Sequence, residues 1–280
     1  MLSYLHGFHA GNAADVLKHS LLIFCLSYLK KKATPLLCAD THAGAGLYDL
    51  AGTDANREWE KGLGLLLQSK EKPPAMIEAY IKSCGDWRSY PGSPLCMARV
   101  LTKGDRLVCF ELHPREAEAL ASAMTEIQGA GKPRIEVRRE DGPAGLKSLL
   151  PPPSRRALIH IDPSWEEQSE YESIPRAVQS ALNRFPEGVF IVWYPLLARP
   201  KEKAAGPPLP ETLFGLSDGK RCRAELCTGT AERSPRGMYG CGLAVFNPPW
   251  TLRAALEETL PYLAKVLGGA EGSWRLEWEG

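Results

Sequence analysis

The chain has almost no excess of either charge: 34 Lys plus Arg stand against 33 Asp plus Glu, a net charge of +1. No basic balance announces a polyanionic partner, so any nucleic-acid surface must be local. Long apolar runs are missing too. The run at 21–26 is far shorter than the roughly 20 residues that cross a bilayer, and it follows Asp15, Lys18 and His19. We therefore expect no membrane segment and no signal peptide. Eight cysteines occur, but none forms a C-x-x-C pair. That spacing argues against a zinc site and against a compact disulfide framework. Cys25 and Cys109 sit in apolar runs, as buried thiols of a reduced cytoplasmic protein do. Internal repeats and long low-complexity segments are absent.

What is present is an ordinary globular composition, 44% hydrophobic and 24% charged over 280 residues. It suits one large domain, or one domain carrying an insertion. Residues 13–32 read as a helix with lysines in its last turn. PLLCAD then reads as a strand and THAGAG as a glycine turn. Residues 48–90 change to helix formers, REWEKGLGLLLQ and AMIEAYIKSC, and read as a helical insertion too small for a core of its own. Alternation resumes afterwards. RLVCFEL, IEVRRED, ALIHID and VFIVWYP read as strands with helices between them, and the apolar segments at 221–228 and 241–246 as a closing hairpin. The proline-rich stretch ARPKEKAAGPPLP reads as an irregular connection. Such alternation predicts a Rossmann-like α/β fold, a mostly parallel sheet with helices on both faces. The expected division is a Rossmann-like domain of residues 1–47 and 91–280, interrupted by 48–90.

Ligands of such sheets bind at the carboxyl ends of the strands. Four strand ends here carry acids or glycines: Asp40 to Gly46, Glu111-Leu112-His113, Asp141-Gly142, and Asp162-Pro163-Ser164-Trp165. One alone would be a turn or a helix cap. Together, in this order, they resemble the pattern of S-adenosylmethionine-dependent methyltransferases. Glycines let the backbone approach the cofactor, Glu111 suits a grip on ribose hydroxyls, and Asp141 suits the adenine amine. The run AGAG lacks the spacing G-x-G-x-x-G, which disfavours a nicotinamide dehydrogenase.

The segment Asp162-Pro163-Ser164-Trp165 carries the reaction type. A nucleobase amine is a poor nucleophile because its lone pair is delocalised. A carboxylate (Asp162) and a backbone carbonyl (Pro163) that accept its protons free that pair, and an aromatic ring (Trp165) can stack on the base. Amino-methyltransferases usually carry a second proline where this chain has Ser164. A rival segment, Asn247-Pro248-Pro249-Trp250, fits the pattern better letter by letter. It follows the last apolar strand, away from the expected cofactor edge, and so reads as a strand exit and helix start.

Adding the opening MLSYLHGFHAGNAADVLKH, DTHAGAG, YPGSP, ELHP, EDG, SRRALIHIDP, VWYP and NPPW, the chain resembles the RlmJ family, bacterial methyltransferases of adenine N6 in large-subunit ribosomal RNA. The resemblance implies a class I methyltransferase fold with a small helical insertion. It implies S-adenosylmethionine held by His19, His42, Ser93, Glu111, Asp141, Gly142 and Asp162, with Asp162 also binding and activating the amine. Tyr4 and Lys18 match family positions near the substrate. The implied partner is large-subunit ribosomal RNA, with no membrane and no metal, and the chain is expected to act as a monomer in the cytoplasm. DPSW in place of DPPY, and the proline-rich 198–210, depart from the family pattern. Two other classes stay open on the residues: a nucleic-acid-binding protein with reduced or lost catalysis, linked to use of external DNA, and a methyltransferase of DNA or a small molecule.

Overall fold

The computed structural model describes residues 6–52, 57–125, 127, 129, 131–198, 207–234 and 237–280. Tyr4 and the centre of the proline-rich connection lie outside them. In chain order the first elements are α1 (Ala13–Leu29), β1 (Leu37–Asp40), β2 (Leu47–Asp49), α2 (Leu63–Gln68), α3 (Ala75–Cys84), β3 (Ser89–Pro91) and α4 (Ser93–Val100). Next come β4 (Arg106–Phe110), α5 (Pro114–Thr125), β5 (Arg134–Arg138), α6 (Gly142–Leu149), β6 (Ala157–Ile161) and α7 (Glu170–Arg184). The last are β7 (Val189–Leu197), α8 (Leu209–Phe214), β8 (Arg221–Cys227), β9 (Met238–Phe246), α9 (Leu252–Gly268) and β10 (Ser273–Glu279).

Strands β1 and β6 are buried at every position, the signature of central parallel strands covered on both faces. They lie at the middle of an eight-stranded sheet of order β5-β4-β1-β6-β7-β9-β8-β10. The first five of these run parallel, while β9, β8 and β10 are antiparallel to their neighbours. The sheet divides the core. Cys38, Leu107 and Leu158 face a layer that includes α1, α4 and α9. Leu37, Ala39, Val108 and Ile159 face α6, α7 and α8. The Rossmann-like, mostly parallel arrangement expected from the alternation is therefore the one observed.

Three details differ from the linear reading. The expected hairpin forms, but β9 inserts between β7 and β8 and so closes the sheet from inside. An edge strand, β10, was not foreseen, although Trp274, Leu276 and Trp278 alternate with the period of two that marks one. The segment read as an insertion is closed by a short ladder of β2 with β3, Leu47 opposite Pro91. Its Leu63, Leu66, Ile77 and Tyr80 join the same core as α1 and α9 rather than building another.

Candidate functional site

The carboxyl ends of β1, β4, β5 and β6 converge on one cavity of about 710 Å³. After β1 the chain passes through Thr41, His42 and Ala43 to Gly44 and Gly46, both with positive φ, 59° and 80°. This turn is tied to the next strand. Ala43 N–H donates to the Phe110 carbonyl at 2.9 Å, and Gly44 N–H donates to Glu111 Oε2 at 2.8 Å. The other oxygen, Oε1, accepts from His113 N–H at 2.7 Å. Burial raises the Glu111 carboxyl above its usual range, against the lowering effect of these two N–H donors. Each oxygen keeps a further lone pair, so the carboxylate is held rigidly with its acceptor capacity facing the cavity.

At the end of β5, Asp141 caps α6 by accepting from Ala144 N–H at 2.8 Å. Gly142 then packs directly on the β1 turn. A Cβ there would lie 2.1 Å from the Thr41 carbonyl oxygen, so no other residue fits without moving the cavity wall. Ser93 opens α4, and His19 reaches in from α1, sharing a 2.8 Å hydrogen bond with Tyr90 Oη. Burial lowers His42 to about 4, which leaves it neutral near neutrality. Under the floor, Asp40 and His160 form a fully buried pair at 3.4 Å. Burial works to raise Asp40, but His160, Ser93 and the His42 N–H together hold it below its usual range.

Asp162 follows β6 and is 11% exposed; its Oδ2 accepts from Lys18 Nζ at 2.5 Å. The structure thus gathers His19, His42, Ser93, Glu111, Asp141, Gly142 and Asp162 around one cavity, although they come from six separate points of the chain. Lys18 is buried behind Asp162 rather than standing at the cavity mouth. Pro163 is also buried, and Ser164 lines the wall. Trp165, expected to offer a ring to a base, is instead 1% exposed in the core. Its backbone turns inward at φ 55°, its indole N–H donates to the Trp193 carbonyl at 3.0 Å, and its ring meets Tyr171 at 5.3 Å. With its polar handle satisfied inside, it presents no face to the cavity.

The rival motif sits elsewhere. Phe246, the last residue of β9, is opposite Phe190 at the start of β7, so Asn247 lies at the edge of the sheet away from Asp162. Its side-chain amide donates to the carbonyls of Pro186 and Gly188 at 2.6 and 2.7 Å. Trp250 is 77% exposed on that edge. Position, not the lettering of the motif, separates the two segments.

Linear reading named Lys18 and His19 but missed Asp15 and Glu58. Asp15 and Lys18 are three apart and His19 one further, the spacing that places side chains on one helix face, and that signal was available. Glu58 carried no such signal. Its Oε2 holds His9 Nδ1 at 3.0 Å and the Asn12 amide at 3.2 Å, anchoring the entry to α1 on the segment between β2 and α2. The hydrogen bond to Glu58 raises His9 above the ordinary histidine value, against burial. That same bond lowers Glu58, again against burial. A raised histidine contributes while protonated and loses its contribution as pH rises through its folded value. A lowered carboxylate loses its contribution as pH falls. The anchor should therefore operate between the carboxylate range and the raised histidine value. We expect Glu58→Gln to return His9 towards an ordinary titration by ring NMR, and its small Tm deficit to vanish at alkaline pH. A His9 titration unchanged by the substitution would contradict the assignment.

Comparison with known proteins follows the same lines. A family model described as Ribosomal RNA large subunit methyltransferase D, RlmJ, matches residues 33–280. Two relatives, each named Ribosomal RNA large subunit methyltransferase J, align along nearly the full length. The Haemophilus influenzae protein is 36% identical over 288 residues and the Escherichia coli K12 protein 38% over 287, covering 99% of both chains in each case. A crystal structure of a protein from Legionella pneumophila superposes with a TM-score of 0.86 at 34% identity, over 96% of this chain and 98% of that one.

Proposed function

The chain belongs to the RlmJ family of ribosomal RNA large subunit methyltransferases, and from that premise we propose that it moves a methyl group from S-adenosylmethionine to the N6 amine of an adenine in large-subunit ribosomal RNA. The observation that carries this reading is the Asp162 carboxylate, held by Lys18 at the end of β6 in the cavity whose opposite wall is Glu111.

The residues present fit the cofactor. Gly142 and the turn at Gly44 form a close backbone cradle, Glu111 offers two anchored acceptors to a pair of hydroxyls, and Asp141 adds an acceptor beyond them. Glu166, Glu167 and Glu170 extend the acidic lining on one side, which favours a ligand bearing positive charge. The neutral state of His42 adds no opposing charge. When bound, S-adenosylmethionine supplies a methyl carbon whose C–S electron pair returns to sulfur as the amine nitrogen bonds to that carbon. Asp162 accepts one amine N–H at Oδ1 and the Pro163 carbonyl the other, which localises the lone pair on nitrogen. Asp162 then receives the proton that the amine releases. Because a duplex hides this amine, the adenine must be single-stranded or turned out of its stack.

The deciding experiment is transfer of radiolabelled methyl to ribosomal RNA from a strain lacking the gene. Label should appear as N6-methyladenine in large-subunit RNA. Binding of RNA without transfer, or transfer only to DNA or small molecules, would overturn the reading.

A further inference from the structure

After Asp40, Asp15 is the least exposed acid near the site, and the transfer just described does not use it. It lies in the first turn of α1, 1% exposed. One of its oxygens, Oδ2, accepts from the Gly11 N–H at 2.8 Å. The other, Oδ1, is 2.9 Å from Lys18 Nζ. Lys18 is itself 3% exposed, bonds Asp162 at 2.5 Å and lies 5.7 Å over the Trp193 ring. One ammonium is thus shared by two carboxylates, one at the cavity and one behind it. His19, which lines the cavity, has Nε2 3.9 Å from the same Asp15 oxygen.

We propose that Asp15 is a positioning residue: by sharing the Lys18 ammonium it sets both the orientation of Asp162 and the charge presented to the cavity. The argument is one of charge and geometry. A buried ammonium between two carboxylates leaves one net negative charge in the group, and low polarity around it keeps that charge effective at the cavity. Lys18 occupies Asp162 Oδ2, so the carboxylate is fixed with Oδ1 towards the space where an amine would sit. Lys18 already lies closer to Asp162, at 2.5 Å, than to Asp15, at 2.9 Å; without the Asp15 charge the ammonium would be balanced by Asp162 alone, and that carboxylate would become a weaker acceptor. The bond to Gly11 ties this arrangement to the start of the chain. Gly11 has φ 77° and sits tightly against Trp59 and Leu50, so a shift of Asp15 would be felt along the segment that leads to α1.

This proposal rests on the methyltransferase reading for its kinetic half but not for its binding half. The test is Asp15→Asn, which keeps the shape and an acceptor for Gly11 but removes the charge. Calorimetry would compare S-adenosylmethionine, which carries a sulfonium, with S-adenosylhomocysteine, which does not. We expect affinity for S-adenosylhomocysteine to stay within about twofold and the preference for the cationic ligand to fall severalfold. We also expect kcat on ribosomal RNA to drop about 10- to 100-fold, the range typical when a supporting partner is removed from behind a ligating group. Equal loss of affinity for both ligands would show a merely structural residue and overturn the proposal, as would an unchanged preference. If the wild type transfers no methyl to RNA yet the preference still falls in the variant, the functional reading fails and the charge assignment stands.

Discussion

Asp162→Ala should abolish methyl transfer, with kcat falling on the order of a thousandfold or more, as when a preorganised polar group is removed from a transition state. The protein should stay folded, because Lys18 keeps Asp15 as a partner and is not left as an unpaired buried charge. Asp162→Asn should retain a little activity: an amide oxygen still accepts one N–H, but it can take up no proton. Asn247→Ala should do the reverse. It leaves the exposed Pro186 carbonyl to water and the partly buried Gly188 carbonyl without its donor, a cost of about 1 kcal/mol in stability, and turnover of the folded protein should be unchanged. Steady-state assays with thermal melts on the three variants would check this. An inactive Asn247→Ala beside an active Asp162→Ala would overturn the site.

Glu111→Ala should be the most damaging change to cofactor binding. Two backbone donors, Gly44 N–H and His113 N–H, lose their acceptor together with the ligand's hydroxyls. At about 1–3 kcal/mol for an unsatisfied buried group, S-adenosylhomocysteine affinity should fall by about 5- to 150-fold. The pH dependence has a defined sign. Burial raises this carboxyl, so its charged, accepting form is depleted at a higher pH than for an ordinary glutamate. Affinity in the wild type should weaken on acidification through that raised value, and the variant should lose this dependence. Calorimetry across mildly acid pH measures both, and unchanged affinity in Glu111→Ala would show that the β4 end does not hold the cofactor.

Much of this site is legible in short stretches of the chain because each piece is locally encoded. Asp162 ends a run that is apolar but for His160, Glu111 ends another apolar run, and Gly142 stands at a helix start, so strand, acid and turn can be read without knowing what packs where. Ser93 and His19 were assigned only through resemblance to a family: nothing beside Ser93 marks it, and His19 has only its one-face spacing with Asp15 and Lys18. Trp165 was misplaced because its side-chain direction depends on one backbone angle, φ 55°, and on an acceptor at Trp193 that sequence does not bring near.

The sequence by itself determined the alternation of strands and helices, the four acid-bearing strand ends and their order, and the near-zero net charge. Those properties follow from apolar periodicity and composition, which act over a few residues at a time. Only the tertiary structure decided which of two similar motifs faces the cavity, since β9 runs against β7 and carries Asn247 to the far edge. It also decided what lies behind the Asp162 carboxylate. Lys18 and Asp162 are 144 positions apart, and their contact exists because α1 packs across the sheet and buries an ammonium that must find carboxylates there.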